Sequence, residues 1–247
     1  MAQNRGLQES VESLRAAVKT HIYARPILLF LLKTLRQFQR AIYFPFYWVG
    51  GWFFLVKTGL GSDIYRREPG SLTIRGPNAV DANEYASVHP KWLSRALSSL
   101  AIDYSRYVFI DFGSGKGVAV LMASQYPFKR VIGVEFAREL HETAQNNLKL
   151  WRPAIKSGSV EFAWADALEF EIPLEPCVLF FYNPFGAVVL CRVLEKVRES
   201  MKICPRDVLI VYINPAHVDA ILAVVNPEVV ARSRRYHYAI FRMMLPP

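Results

Sequence analysis

Short apolar runs alternate along this chain with stretches in which apolar residues recur at three- and four-residue intervals, the pattern of strands and helices taking turns. Val108-Phe109-Ile110 is an apolar strand that runs into Asp111 and a glycine-rich turn, with a helix predicted from Gly115 to Tyr126. Arg130 to Glu135 reads as a short buried strand ending in a second acid. A helix from Arg138 to about Trp151 follows, its apolar stripe made by Leu140, Ala144, Leu148 and Trp151. Strands at Val160 to Ala163, Cys177 to Tyr182 and Asp207 to Ile213 come next, with helices at Ala187 to Met201 and Ala216 to Val225 between and after them. Two last strands, Val229 to Arg232 and His237 to Met243, pair around the polar turn Ser233-Arg234-Arg235. Such alternation predicts an α/β domain with a largely parallel sheet.

The turn after the first strand reads Asp111-Phe112-Gly113-Ser114-Gly115-Lys116-Gly117. Glycines let a backbone turn sharply and come close to a ligand. A dinucleotide fold spaces them G-x-G-x-x-G. Here the third glycine comes one residue too early for that pattern, and Val118 holds the dinucleotide position. The string D-x-G-x-G-x-G resembles motif I of the class I S-adenosylmethionine (SAM) dependent methyltransferases, and the resemblance spans about Ser87 to Met244. It implies a seven-stranded Rossmann-like sheet closed by an antiparallel pair, with SAM as cofactor. A nucleotide-dependent oxidoreductase is a distant alternative, because its sheet more often continues with parallel strands.

Glu135 lies 22 residues after Gly113, near the offset of about 20 at which an acid reaches ribose hydroxyls. Its two oxygens suit a cis-diol; the bland alternative is a solvated strand end. The resemblance implies that Asp111, Gly113, Ser114, Gly115 and Gly117 cradle the cofactor and that Asp166 faces the adenine amino group, although an acid at Asp166 also serves as a helix N-cap. Asn183-Pro184-Phe185-Gly186 follows the fourth strand, where a donor methyl should meet its acceptor. It partly resembles the N-P-P-[FY] motif of enzymes methylating planar nitrogens, and it lacks one proline of that motif. There the Asn carbonyl accepts a hydrogen bond and the aromatic ring stacks, so Asn183, Pro184 and Phe185 are the candidate catalytic residues and Asn183 also a cofactor contact. An ordinary strand-ending turn is the competing reading. The glycine loop, the Val-Glu strand end and the N-x-F-G element also resemble Dot1-type lysine methyltransferases. Tyr85 and His89 are candidates for closing the cleft, with a surface helix cap an equal alternative, and Lys116 is expected to point to solvent.

Composition changes the picture mainly at the N-terminus. Residues 1–80 hold 11 Lys or Arg against 4 Asp or Glu, so most of the net +9 sits ahead of the α/β domain. The uncharged run Ala41 to Val56 contains eight aromatic residues among 16, interrupted by Pro45 and Gly50-Gly51 and flanked by basic residues. It is short of the ~20 residues of a spanning helix and suits the headgroup region of a membrane. Helices packed on the domain are the alternative. The expected organisation is a basic, apolar, helical appendage over residues 1–62, a turn-rich linker over 63–82 and a methyltransferase domain over 83–247. Cys177, Cys191 and Cys204 lack metal spacing and point to a reduced, cytoplasmic protein; with the five histidines they give no metal site. The sequence favours a methyl acceptor that is an amine or other nucleophile on a protein or small molecule, at a membrane surface reached through residues 26–56. The alternatives are a noncatalytic membrane-associated SAM-binding protein and, less favoured, a nucleic-acid methyltransferase.

Overall fold

A computed structural model describes residues 54, 55, 57–61, 86–225 and 227–244. Most of the expected appendage at 1–62, the linker at 63–82 and Tyr85 lie outside the described residues. The chain divides into two units between residues 53 and 54, and the sheet belongs wholly to the second.

Seven strands form that sheet: β1 (Val108–Phe112), β2 (Arg130–Glu135), β3 (Val160–Trp164), β4 (Cys177–Phe181), β5 (Val208–Ile213), β6 (Glu228–Ser233) and β7 (Tyr238–Arg242). Their order is β3-β2-β1-β4-β5-β7-β6, with β7 antiparallel to both of its neighbours and the other pairs parallel. This is the seven-stranded sheet closed by an antiparallel pair that the resemblance implies. The central strands β1, β4 and β5 are buried at every residue, whereas the edges β3 and β6 include exposed positions. Continuous apolar runs mark strands covered on both faces.

Successive side chains point to opposite faces, so Phe109, Val131, Phe180 and Val211 serve one core and Ile110, Ile132, Leu179 and Ile210 the other. The first core is covered by α1 (Pro90–Ser98), α2 (Val118–Ala123) and α3 (Arg138–Leu150). The second lies under α4 (Ala187–Ile203) and α5 (Val218–Val225). Thr58 and Leu60 are also buried, and the Thr58 carbonyl accepts from the Arg152 N–H at 3.0 Å, which ties the first described residues to the end of α3.

One boundary differs appreciably from expectation. The helix expected from Gly115 begins at Val118 and ends at Ala123, because Gly117 at φ +82° cannot lie inside a right-handed helix and caps it instead. β1 touches β2 on one side and β4 on the other, so the chain reverses direction across the sheet at β1. In open α/β sheets that reversal opens a crevice beyond the strand ends, where ligands bind.

Candidate active site

The glycine loop leaves β1 at this crevice with Gly113, Gly115 and Gly117 all at positive φ, +74°, +52° and +82°. Both Gly113 and Ser114 donate their N–H to the Val134 carbonyl, at 2.9 and 3.0 Å, and Gly115 donates to Glu135 Oε2 at 2.7 Å. From α3, Asn147 Nδ2 reaches the Lys116 carbonyl at 2.9 Å. The loop is therefore pinned from β2 and from α3. A Cβ at Gly113 would lie 2.4 Å from Pro184 Cβ, so the loops after β1 and β4 meet at the switch point with no room for a side chain. Inside β2, a Cβ on Gly133 would meet the Ser114 Oγ at 2.8 Å. A glycine in an otherwise Val- and Ile-rich strand marks such an approach. Ser114 Oγ is buried and has no hydrogen-bond partner.

Three acids stand at the carboxyl ends of β1, β2 and beyond β3, all about 3% exposed. Burial, joined by the charge of neighbouring Glu135, holds the Asp111 carboxyl well above the usual carboxylate range. Burial also raises Glu135, while N–H groups of Ala137, Gly115 and Phe136 pull it back. Glu135 Oε1 accepts from Ala137 at 2.8 Å, so both of its oxygens brace backbone here and the solvated-strand-end reading is excluded. Asp166 Oδ1 accepts from the Leu168 N–H at 2.9 Å, closing a turn rather than capping a helix, since no helix lies between β3 and β4, and Asp166 also lines the crevice. α4 supports this turn: Lys196 Nζ donates to the Leu168 and Phe170 carbonyls, both at 2.7 Å.

At the acceptor loop, Asn183 stands at φ +47°. Its Oδ1 accepts from the Tyr212 hydroxyl at 2.6 Å and its Nδ2 donates to the Asn214 carbonyl at 2.6 Å. Asn214, at φ +50°, donates its N–H to the carbonyl of His237, also at φ +50°, at 2.6 Å. Among the described residues these are the non-glycine residues at positive φ, and they are hydrogen-bonded in series. Left-handed backbone in ordinary residues clusters where surrounding structure fixes it, commonly around function. The Asn183 carbonyl expected to receive a substrate N–H thus already holds Tyr212, because β5 brings that phenol beneath the loop. Phe185 is likewise turned inward, edge-on to Phe181 with centroids 6.1 Å apart, while still lining the crevice with Gly113, Asp166 and Pro184.

One further expectation is revised, and the alternative reading of His89 is the one observed. Lys116 is 2% exposed rather than directed to solvent. His89 caps α1, its Nδ1 accepting from the Lys91 N–H at 3.2 Å, and its ring lies beside Trp92, which in turn contacts His237 at 4.8 Å. Sequence reasoning does not single out Tyr212, Asn214, Lys196 or Asn147. Their signals are weak ones: a phenol within an apolar strand, and a polar residue on a helix face. Among the described residues no group of three His, Cys, Asp or Glu converges as a metal site.

The residues suit an adenosine-bearing cation: close backbone approach at the glycines, three buried acids, and an unpartnered buried hydroxyl at Ser114. The space enclosed along the crevice is about 40 Å³, well below the roughly 300 Å³ of a small-molecule pocket.

No protein-family model and no curated protein matches the chain. Solved structures of similar fold include a magnesium protoporphyrin IX methyltransferase from Synechocystis PCC 6803 with bound SAM. It is 12% identical, with 64% of this chain and 76% of that one covered and a TM-score of 0.43. An RNA methyltransferase from Salinibacter ruber, in complex with S-adenosyl-L-homocysteine, is 18% identical over 65% and 94% of the two chains, TM-score 0.42. A ribosomal-protein methylase from Lactobacillus delbrueckii subsp. bulgaricus is 11% identical over 63% and 77%, TM-score 0.44.

Proposed function

We propose that this chain is a SAM-dependent methyltransferase acting on an amine or other nucleophile of a protein or small molecule. The observation that carries the reading is the placement of the D-x-G-x-G-x-G loop at the switch point of a β3-β2-β1-β4-β5-β7-β6 sheet, with acids at the ends of β1, β2 and β3. SAM would supply an electrophilic methyl on a sulfonium, with its own leaving group built in. What remains for the chain is to hold donor and acceptor in line and exclude water.

Residues divide that work by position. Gly113 and Gly115 present backbone, Ser114 offers a hydroxyl, and Asp111 places a carboxyl where a cation would restore its charge. Glu135 is the ribose contact and Asp166 the adenine contact, each retaining acceptor capacity beyond its backbone bonds. Asn183 works as a positioning residue: its amide fixes the loop to β5, and Pro184 and Phe185 border the methyl acceptor. The basic, aromatic sequence of residues 26–56 supports action at a membrane surface. Among the described residues no helix is long and apolar enough to cross a membrane.

The test is calorimetric titration of the full chain with SAM and with NADH, beside Glu135→Ala, together with labelled-methyl transfer to protein, lipid and nucleic-acid extracts. SAM binding lost in the variant, with label passing to protein or a small molecule, is the expected result. Binding without transfer in any extract would shift the reading to a noncatalytic SAM-binding protein. NADH binding without SAM binding would overturn it.

A further inference from the structure

Away from the crevice, α1 and α2 border a second cavity of about 460 Å³, which shares no lining residue with the first. α1 buries Leu93, Ala96 and Leu97 and turns Lys91, Ser94, Arg95 and Ser98 toward the cavity, at the three- and four-residue spacing of one helix face. A polar helix face is ordinarily just solvated. Here it borders a half-open groove, and a third exposed cation, Lys57, enters the wall from a separate segment. Among the described residues no Asp or Glu lines the cavity and none of the three cations is in an ion pair. Arg95 is steadied from the side by the Tyr236 ring, 5.6 Å from its guanidinium carbon.

Three cations without an acidic partner among the described residues, set around two serine hydroxyls, form a potential well for an anion, and clustered Lys and Arg with hydroxyl donors match phosphate oxygens. The volume exceeds what a bare phosphate needs, and Phe54 and Met122 give the wall an apolar side. The geometry points to a binding site for a phosphate ester that carries an apolar group, namely an anionic phospholipid headgroup with the root of its acyl chains. Sequence continuity favours lipid over a soluble phosphate ester: Phe54, in the cavity wall, is the last aromatic of the uncharged run Ala41 to Val56, whose composition has interfacial character. The site is independent of methyl transfer, since its occupancy is read without turnover and without SAM.

The experiment titrates the full chain with dioctanoyl phosphatidate below its micelle-forming concentration, with dioctanoyl phosphatidylcholine and with glycerol 3-phosphate. The same titrations are run on Lys91→Gln/Arg95→Gln, on Lys57→Gln, and on the charge-matched Arg192→Gln/Arg232→Gln outside the cavity. Saturable phosphatidate binding is expected, weakened about tenfold or more in the double cavity variant, severalfold in Lys57→Gln and less than about twofold in the control. Phosphatidylcholine should bind much more weakly. Equal losses in the cavity and control variants would assign the effect to diffuse surface charge and overturn the site, as would the lack of saturable phosphatidate binding. Glycerol 3-phosphate binding as tightly as phosphatidate would overturn the lipid assignment in favour of a soluble phosphate ester. Lys57→Gln decides the matter if the double variant does not fold.

Discussion

Gly113→Ala tests the contact on which the crevice depends. At φ +74° an alanine adopts left-handed backbone, which costs about 1–2 kcal/mol. Its Cβ would also sit 2.4 Å from Pro184 Cβ, and relieving such an overlap in a packed region costs roughly 1–3 kcal/mol. The expected loss is therefore about 2–5 kcal/mol, against total stabilities of about 5–15 kcal/mol for domains generally. Urea unfolding monitored by tryptophan fluorescence should show a lower midpoint at unchanged slope. Pro184→Gly removes the opposing Cβ, so in the double variant the overlap disappears while the backbone cost remains. The double-mutant cycle should then show a coupling of about 1 kcal/mol or more. A Gly113→Ala protein within about 0.5 kcal/mol of the parent, or additive single effects, would refute the close approach of the two loops.

Other predictions address the residues around that contact. Asp111 has a folded value raised above its ordinary 3.8, so its stabilising contribution is complete below the unfolded value and is lost as pH rises through the folded one. Relative to Asp111→Asn, the parent should lose urea resistance as pH rises through that window; a pH-independent difference would contradict the buried acid. Lys196→Met removes the two bonds to the Leu168 and Phe170 carbonyls and should weaken SAM binding about tenfold by freeing the Asp166 turn. Unchanged affinity in calorimetry would detach that turn from the cofactor site. Tyr212→Phe leaves Asn183 Oδ1 without its 2.6 Å donor and should cost about 1–2 kcal/mol in unfolding experiments. It should also slow methyl transfer more than it weakens SAM binding, and an equal effect on both would remove Asn183 from acceptor positioning.

Much of this architecture is legible in the chain because its signals are local. Buried parallel strands are continuous apolar runs, and the run from Arg130 to Glu135 coincides with β2 to the residue. The glycine loop announces itself through residue types that only a left-handed turn requires. The start of α2 is hidden because the sequence between Gly115 and Val118 has no marker of where left-handed backbone stops. The partners of the site residues are not legible, since they arise from register between strands distant in sequence. Nothing near Asn183 says that Tyr212 will lie beneath it; that comes from Phe181 pairing with Tyr212 across β4 and β5. The hold on the glycine loop escapes sequence reasoning on the same ground, as Asn147 of α3 reaches the Lys116 carbonyl from 31 residues away.

The insertion of β7 between β5 and β6 has a consequence for biosynthesis. A ribosome delivers β1 to β5 in an order that lets a five-stranded parallel sheet assemble as it emerges, but β5 then waits with an open edge for a strand that is made after β6. Until Arg242 has left the exit tunnel, that edge carries unpaired backbone groups able to recruit another chain. The Asn214 to His237 bond is absent over the same interval, so the acceptor side is among the last features to be completed. A nascent chain stalled before β7 would be a candidate for chaperone capture while its glycine loop is already formed.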